Sequence, residues 1–223
     1  MITRALLASV VALAAAVTSL PSSSAAQQAS RPALDSAIDS AIAPIIRETE
    51  AARLPTELLY AKAREGQVRR VPVDRIEATV RDLARRIAVA HDALKPNPTT
   101  EEVRAATDAL KYNVPAATLS EMRRAGGAGS LAVPLGVLTQ LIARGVPVEK
   151  AAVEVVHLLQ KGAVPRNFIA LEERVREDVL AGKRPDESLD LRLKGILPNL
   201  PQSATGVADG LQTTSAGGPR KPR

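Results

Sequence analysis

The stretch RGVPVEKAAVEVVHLLQKGAVP, residues 144–165, decides the fold that the sequence predicts. Residues 147–162 have the pattern of one helix, in which most side chains are valine, leucine or alanine. The polar side chains recur at spacings of four, three and four and therefore share one helical face: Lys150, Glu154, His157 and Lys161. Because a helix that is apolar around most of its circumference must be covered on several sides, we predict that this is the central helix of an all-helical domain.

The composition also favours helices over sheets. Of 223 residues, 45% are hydrophobic and 24% are charged, as in ordinary globular proteins, but only 1% are aromatic. With three aromatic residues and no tryptophan, the core must consist of leucine, valine, isoleucine and alanine. Such a core suits closely packed helices better than a β-sandwich, and it offers few stacking platforms for sugars or bases.

The charge and cysteine content exclude several classes of function. The formal net charge is +6. Without Arg4 of the leader (residues 1–26) it is 29 − 24 = +5, and the tail from Pro198, with three basic residues and Asp209, accounts for +2 of this. The remaining +3 is spread over a body in which both signs are interspersed, so no nucleic-acid partner is expected. The chain has no cysteine, which excludes disulfides, thiol catalysis, cysteine-bound metal and a lipid-modified cysteine.

Residues 1–26 have the pattern of a secretory signal peptide. Arg4 provides the charged start, Ala5–Val17 provide an apolar segment, and the small residues before Gln27 provide a cleavage site. The apolar segment is shorter than the roughly 20 residues of a membrane-spanning helix, although an uncleaved anchor is the alternative interpretation. We therefore expect an exported protein, periplasmic or secreted, without a transmembrane segment once the signal is removed.

A six-residue motif recurs along the chain. It consists of an apolar residue, a proline, three further residues and a second apolar residue. Proline has a backbone angle suited to the first helical turn and lacks an N–H that would be unpaired there, so each copy predicts a helix start. The two apolar residues have the spacing of a hydrophobic staple. The copies, the last of them degenerate, are LPTELL (54–59), VPVDRI (71–76), VPAATL (114–119), VPLGVL (133–138), VPVEKA (146–151), VPRNFI (164–169) and RPDESL (184–189).

These starts predict an all-α fold of about eight or nine helices, stacked as hairpins in an α-solenoid-like array or an irregular bundle. The longest helix is expected from Val73 to about Leu94, where apolar residues alternate at spacings of three and four. Thr99 and Glu102 have the spacing of a capping box and predict a further start.

The predicted domain organisation has four parts. After the leader, residues 27–43 are a linker or weak helix, because Pro44 should interrupt a helix that begins near Leu34. Residues 44–197 form the all-helical domain. Its glycine break at residues 125–130 separates two halves and is either a plain loop or a hinge. Residues 198–223, rich in proline, glycine, serine and threonine, are expected to be a disordered tail.

Few residues suggest chemistry, and none is assigned a catalytic, cofactor-binding or metal-binding role. Glu154 and His157 form a Glu-x-x-His pair, but bundle metal sites need two such pairs. The dipeptide Glu187–Ser188 is similar to the catalytic Glu–Ser of lysozyme-like transglycosylases, although Glu187 is better explained as an anion at a helix start. The glycine break lacks the features of a nucleophile elbow or a phosphate loop.

The sequence therefore favours an exported, non-enzymatic helical binding or scaffolding protein of the cell envelope, if the source is bacterial. Its partner is expected to be a protein or peptide, and no cofactor is expected. Two alternatives stay open. An envelope chaperone or adaptor would show an apolar groove. A carboxylate-dependent hydrolase would show a cleft with two carboxylates roughly 5 to 9 Å apart.

Overall fold

The computed structural model describes residues 33–200, which form nine α-helices and no strand. The helices are α1 (Ser36–Ala51), α2 (Glu57–Val68), α3 (Val73–Ala93), α4 (Thr100–Lys111), α5 (Ala116–Gly126), α6 (Ala132–Ala143), α7 (Val148–Gln160), α8 (Pro165–Leu180) and α9 (Pro185–Ile196). A 3₁₀ turn, Leu197–Asn199, follows α9. The prediction of an all-α fold with eight or nine helices is confirmed.

The helices stack in two rows, as in an α-solenoid. Helices α1, α3, α5 and α7 pack successively on one another, and α4, α6 and α8 form the second row. Contacts of α3 with α2 and α4, and of α6 with α7, join the rows, while α9 covers α8 at the end of the stack. Helix α3 packs against four helices, whereas α7 packs mainly against α5 and α6. The prediction that α7 is the central helix is therefore wrong, because its outer side has no neighbour in its row within residues 33–200.

Six of the eight turns between helices in residues 33–200 share one design. The residue after the helix cap has a positive φ, and the next amide donates to the carbonyl five residues earlier, as Val146 does to Leu141 at 3.1 Å. This is the Schellman motif, which satisfies the last carbonyls of a helix. The positive-φ residues of these six turns are Arg53, Arg70, Asn113, Gly145, Gly162 and Gly182.

Each recurrent proline lies in the first turn of a helix or within two residues before it, close to the predicted start. Three of them are N-cap residues and two are the first helical residue, which is where the absence of a proline N–H has no cost. The N-cap prolines are Pro72, Pro115 and Pro147, and the first-residue prolines are Pro165 and Pro185. The sequence motif therefore encodes both the end of one helix and the beginning of the next.

Replacing Arg70 by glycine is expected to stabilise the protein. Arg70 has a φ of 55°, a region in which a side chain costs roughly 1–2 kcal/mol, and glycine removes that cost. The greater freedom of glycine in the unfolded chain offsets part of the gain, so the free energy of unfolding should rise by about 0.5–1 kcal/mol. Urea denaturation measures it. The matched control, Arg104→Gly inside α4, should lose about 1 kcal/mol, and a loss at both positions would contradict the prediction.

The first helix crosses the predicted boundary of the domain. Helix α1 begins at Ser36 and contains Pro44, and it buries apolar side chains on both sides of that proline, Ile42 and Ile45 among them. The prediction that Pro44 interrupts the helix is wrong. Proline deprives the carbonyl of Ser40 of its helical donor, but both residues are exposed, so water can replace the missing hydrogen bond.

The predicted ends of the chain fall mostly outside the described residues. Residues 198–200 belong to the predicted tail, yet they follow α9 in a 3₁₀ turn, and Leu200 is buried against the core. The prediction is therefore wrong for residues 198–200, because a buried leucine two residues after a proline carries no periodic signal. The predicted signal peptide, the first part of the linker and residues 201–223 lie outside the described residues.

The glycine break is a short loop within one continuous stack. Helix α5 extends to Gly126, and the chain enters α6 at Ala132. The contacts of α4 with α6 and of α5 with α7 run across the break. A single apolar core therefore includes residues from both predicted halves.

A buried ion pair holds this loop. Glu102, the capping-box residue of α4, accepts hydrogen bonds from the backbone of Thr99 and Leu131 and, at 2.5 Å, from the guanidinium of Arg123. The same guanidinium donates to the carbonyls of Gly127 and Gly129, each at 3.2 Å. Burial alone would raise the pKa of Glu102, but the hydrogen bonds from these donors have the larger combined effect. The pKa of the carboxyl therefore lies below its usual value, and the group stays charged. We name Glu102 and Arg123 the loop clamp.

A second buried carboxylate joins α8 to α9. Asp178 accepts two hydrogen bonds from Arg192, each at 2.7 Å, and one from Lys183 at 2.8 Å. The hydrogen bonds from Arg192 and then Lys183 outweigh burial and lower the pKa of Asp178 to about 2. Asp178 is thus an anionic anchor for the last helix of the stack.

Low pH should weaken the interaction of Asp178 with Arg192 and Lys183. Because the folded-state pKa of Asp178 lies below its unfolded value of about 3.9, its stabilising effect is complete above that unfolded value and is lost as pH falls towards 2. Urea denaturation from pH 5 to pH 2 should show stability falling less steeply in Asp178→Asn than in the wild type. Asp108→Asn, which changes an exposed carboxyl without a hydrogen bond or ion pair in the described part of the chain, is the control. Equal pH dependence in Asp178→Asn and the wild type would contradict the prediction.

Candidate functional site

The candidate metal pair of α7 is an isolated contact. His157 Nδ1 lies 3.7 Å from Glu154 Oε2, one turn apart on the helix, and the imidazole is 40% exposed. Within residues 33–200, no group of three or more histidine, aspartate and glutamate side chains could hold a metal ion. The pair therefore forms part of the polar face of α7.

The other candidate residues from the sequence analysis, in Glu187–Ser188 and in the glycine loop, lie at the starts of helices. Glu187 lies in the first turn of α9, 3.3 Å from Arg184, and is exposed, whereas the neighbouring Ser188 is buried. The two side chains therefore do not share a site. Ser130 of the glycine loop accepts a hydrogen bond from Ala132 N at 3.4 Å, so its hydroxyl helps to start α6.

A groove between α5 and α7 is a concave surface that a partner could occupy. Its volume is about 570 Å³, within the range of ligand sites. Helix α7 contributes the apolar side chains that line the groove, Val148, Ala152, Val153 and Val156. The polar lining residues are Thr118, Glu121, Glu149, His157 and Gln160, and Pro115 completes the lining. We name this surface the α5/α7 groove.

The exposure of Val153 in the groove differs from what the sequence analysis predicted. It belongs to the apolar sector of α7, and we predicted that this sector would be covered, yet Val153 is 64% exposed. Ala152 and Val155, close by on the same helix, are only 7% and 0% exposed. The boundary between the core-facing side and the groove-facing side of α7 therefore runs beside Val153. The reason is the row position of α7, which packs on α5 on one side and has no further helix of its row within residues 33–200 on the other.

The charge that faces the groove is negative. Glu121 and Glu149 are exposed, and within the described part of the chain neither has an ion-pair partner. Of the cations on these two helices, Lys150 contacts Asp190 on α9 at 2.7 Å and Arg123 belongs to the loop clamp, whereas the exposed Arg124 follows Glu121 by three residues but does not pair with it. Two uncompensated carboxylates therefore flank an apolar surface in a chain whose formal net charge is +6.

A smaller groove between α1 and α3 differs in charge. Its volume is about 330 Å³, and it is lined by apolar residues together with Glu48, Arg81 and Arg85. Arg81 pairs with Glu77 at 2.6 Å, and Arg85 pairs with Asp82 at 3.0 Å. Its arginines are thus largely neutralised within α3.

None of the helices in residues 33–200 is both long and apolar enough to cross a bilayer. No protein-family model matches the chain, and no curated protein or solved structure shows significant similarity to it.

Proposed function

We propose that the chain is an exported, non-enzymatic helical binding protein of the cell envelope and that its α5/α7 groove receives a segment of a protein or peptide partner. The single observation that supports this most directly is the exposure of Val153 beside the half-buried Val148 in a groove of about 570 Å³. Burying the exposed part of Val153, about two thirds of the side chain, would contribute on the order of 1 kcal/mol to an interaction. The stacked rows provide a rigid support, as in other helical repeat architectures.

Site-specific photo-crosslinking tests the binding function. Benzoylphenylalanine at position 153 should crosslink to one or a few discrete proteins in cells that produce the full chain. The matched control is position 68, where Val68 is 77% exposed at the end of α2 and does not line the groove. The same crosslinking pattern from both positions would contradict a function located at the α5/α7 groove.

An envelope chaperone or adaptor is the second candidate, and the apolar side of the same groove favours it. A chaperone contacts many unfolded clients, so position 153 would crosslink to a broad distribution of proteins in place of discrete ones.

The hydrolase alternative has weaker support. The groove contains two carboxylates, Glu121 and Glu149, but both are exposed, whereas a catalytic acid is typically shielded from water.

Export is proposed from the leader alone. The measurement is the intact mass of the protein recovered from the exported fraction of producing cells. We expect a chain that begins near Gln27, after the small residues Ala25 and Ala26. A mass that includes residues 1–26 would contradict cleavage and would favour the anchored alternative.

A further inference from the structure

We propose that the α5/α7 groove selects a cationic partner segment, in which apolar side chains are flanked by lysine or arginine. This inference rests on the proposed binding function and adds to it the chemistry of the ligand. It follows from the combination of an apolar lining with carboxylates at its margin.

The apolar contact comes from α7. Val153 is largely exposed, and Val148 and Val156 lie beside it in the groove, one on each side along the helix. Val153 and Val156 are three residues apart and share one side of the helix. Ala152 links Val148 to Val156 at spacings of four, so these side chains form a continuous apolar strip. A partner side chain such as leucine can therefore be removed from water along this strip.

The charge selection comes from both helices. Glu121 on α5 and Glu149 on α7 line the groove from opposite sides. Neither carboxylate has a counter-ion among residues 33–200, so both are available to a ligand. An anionic segment placed on the same strip would bring its charge beside two glutamates, and that repulsion discriminates against it.

The segment 201–223 of the same chain is the competing occupant. It contains the cations Arg220, Lys221 and Arg223, together with Val207 and Leu211. Its chemistry therefore resembles the ligand that we propose. A separate partner is favoured because the segment carries only two large apolar residues, and both lie at least nine positions before its first cation.

Fluorescence anisotropy with three labelled peptides tests the charge selection. The peptides share their leucine and alanine positions and differ only at the remaining positions, which are lysine, glutamine or glutamate. The full chain should bind the lysine peptide more tightly than the glutamine peptide by about threefold or more, and the glutamate peptide least tightly. This preference should shrink at high salt, because exposed charges are then screened.

Two matched pairs of variants locate the interaction. Glu149→Lys should abolish the preference for the lysine peptide. Asp74→Lys is its control, because Asp74 occupies the same position in VPVD at the start of α3 that Glu149 occupies in VPVE at the start of α7. Val153→Asp should weaken binding of the glutamine peptide, and Val68→Asp should not.

The outcomes separate the inference from the proposed function. Equal binding of the three peptides, with loss in Val153→Asp, would overturn the charge selection and leave the binding function standing. Failure of all three peptides to bind would overturn both. A variant with Arg220, Lys221 and Arg223 replaced by serine is tested alongside. If it binds the lysine peptide far more tightly than the wild type does, the segment 201–223 is the occupant, and the separate partner is overturned.

Discussion

Replacing Val155 with aspartate is expected to lower the free energy of unfolding more than any other single change considered for this protein. Val155 is 0% exposed and lies on the side of α7 that packs into the apolar core. A carboxylate there would have to be buried without a partner or be protonated, and either costs about 4 kcal/mol or more. The total stability of a domain is roughly 5–15 kcal/mol, so the loss is a large fraction of it.

Val153→Asp is the matched control, two residues away on the same helix. Val153 is 64% exposed, so its aspartate remains in water and should change the free energy of unfolding by less than about 0.5 kcal/mol. Circular dichroism during urea denaturation measures both variants. Similar stability of the two variants would mean that α7 does not pack as described.

Removing the guanidinium of the loop clamp is expected to have the second largest effect. Arg123→Ala would leave Glu102 as a buried carboxylate with only backbone donors, and it would also remove two hydrogen bonds to the glycine loop. Breaking a buried ion pair by removing one partner typically costs about 3 kcal/mol or more. Because the clamp connects the N-terminus of α4 with the α5–α6 loop, the loss should also increase amide hydrogen exchange around Gly127.

Arg124→Ala provides the control for this variant. Arg124 follows Arg123 in the same helix but is exposed, and it has no ion-pair partner in the described part of the chain. Its replacement should change stability by less than about 0.5 kcal/mol. If Arg123→Ala were equally harmless, the glycine loop would not depend on the clamp, and the hinge interpretation of residues 125–130 would gain support.

The helical architecture could be predicted because its signals are local. Each proline of the repeated motif marks a helix start through its own backbone geometry, and the capping box of Thr99 and Glu102 forms as its spacing indicates. The longest helix was expected from Val73 to about Leu94 and is observed from Val73 to Ala93. These features depend on residues within one turn of each other, so the sequence contains them.

The errors concern interactions between distant residues. Pro44 was expected to end a helix, but that outcome depends on whether water reaches the carbonyl of Ser40, which the tertiary packing decides. The partner of Glu102 lies 21 residues away in the chain, and that of Lys150 lies 40 residues away. The groove was missed for the same reason, since the apolar pattern of α7 does not show which of its valines a neighbouring helix covers.

The measurement that tests the groove most directly is a map of backbone amide shifts during titration of the full chain with the lysine peptide. We expect the largest shifts in residues 116–121 of α5 and 148–160 of α7, with small changes in the groove between α1 and α3. The glutamine peptide, which lacks the charge that an added aspartate would attract, should give much smaller shifts in Val153→Asp than in the wild type at the same peptide concentration. Shifts centred on α1 and α3, or shifts that Val153→Asp leaves unchanged, would contradict the conclusion that the α5/α7 groove is the binding site.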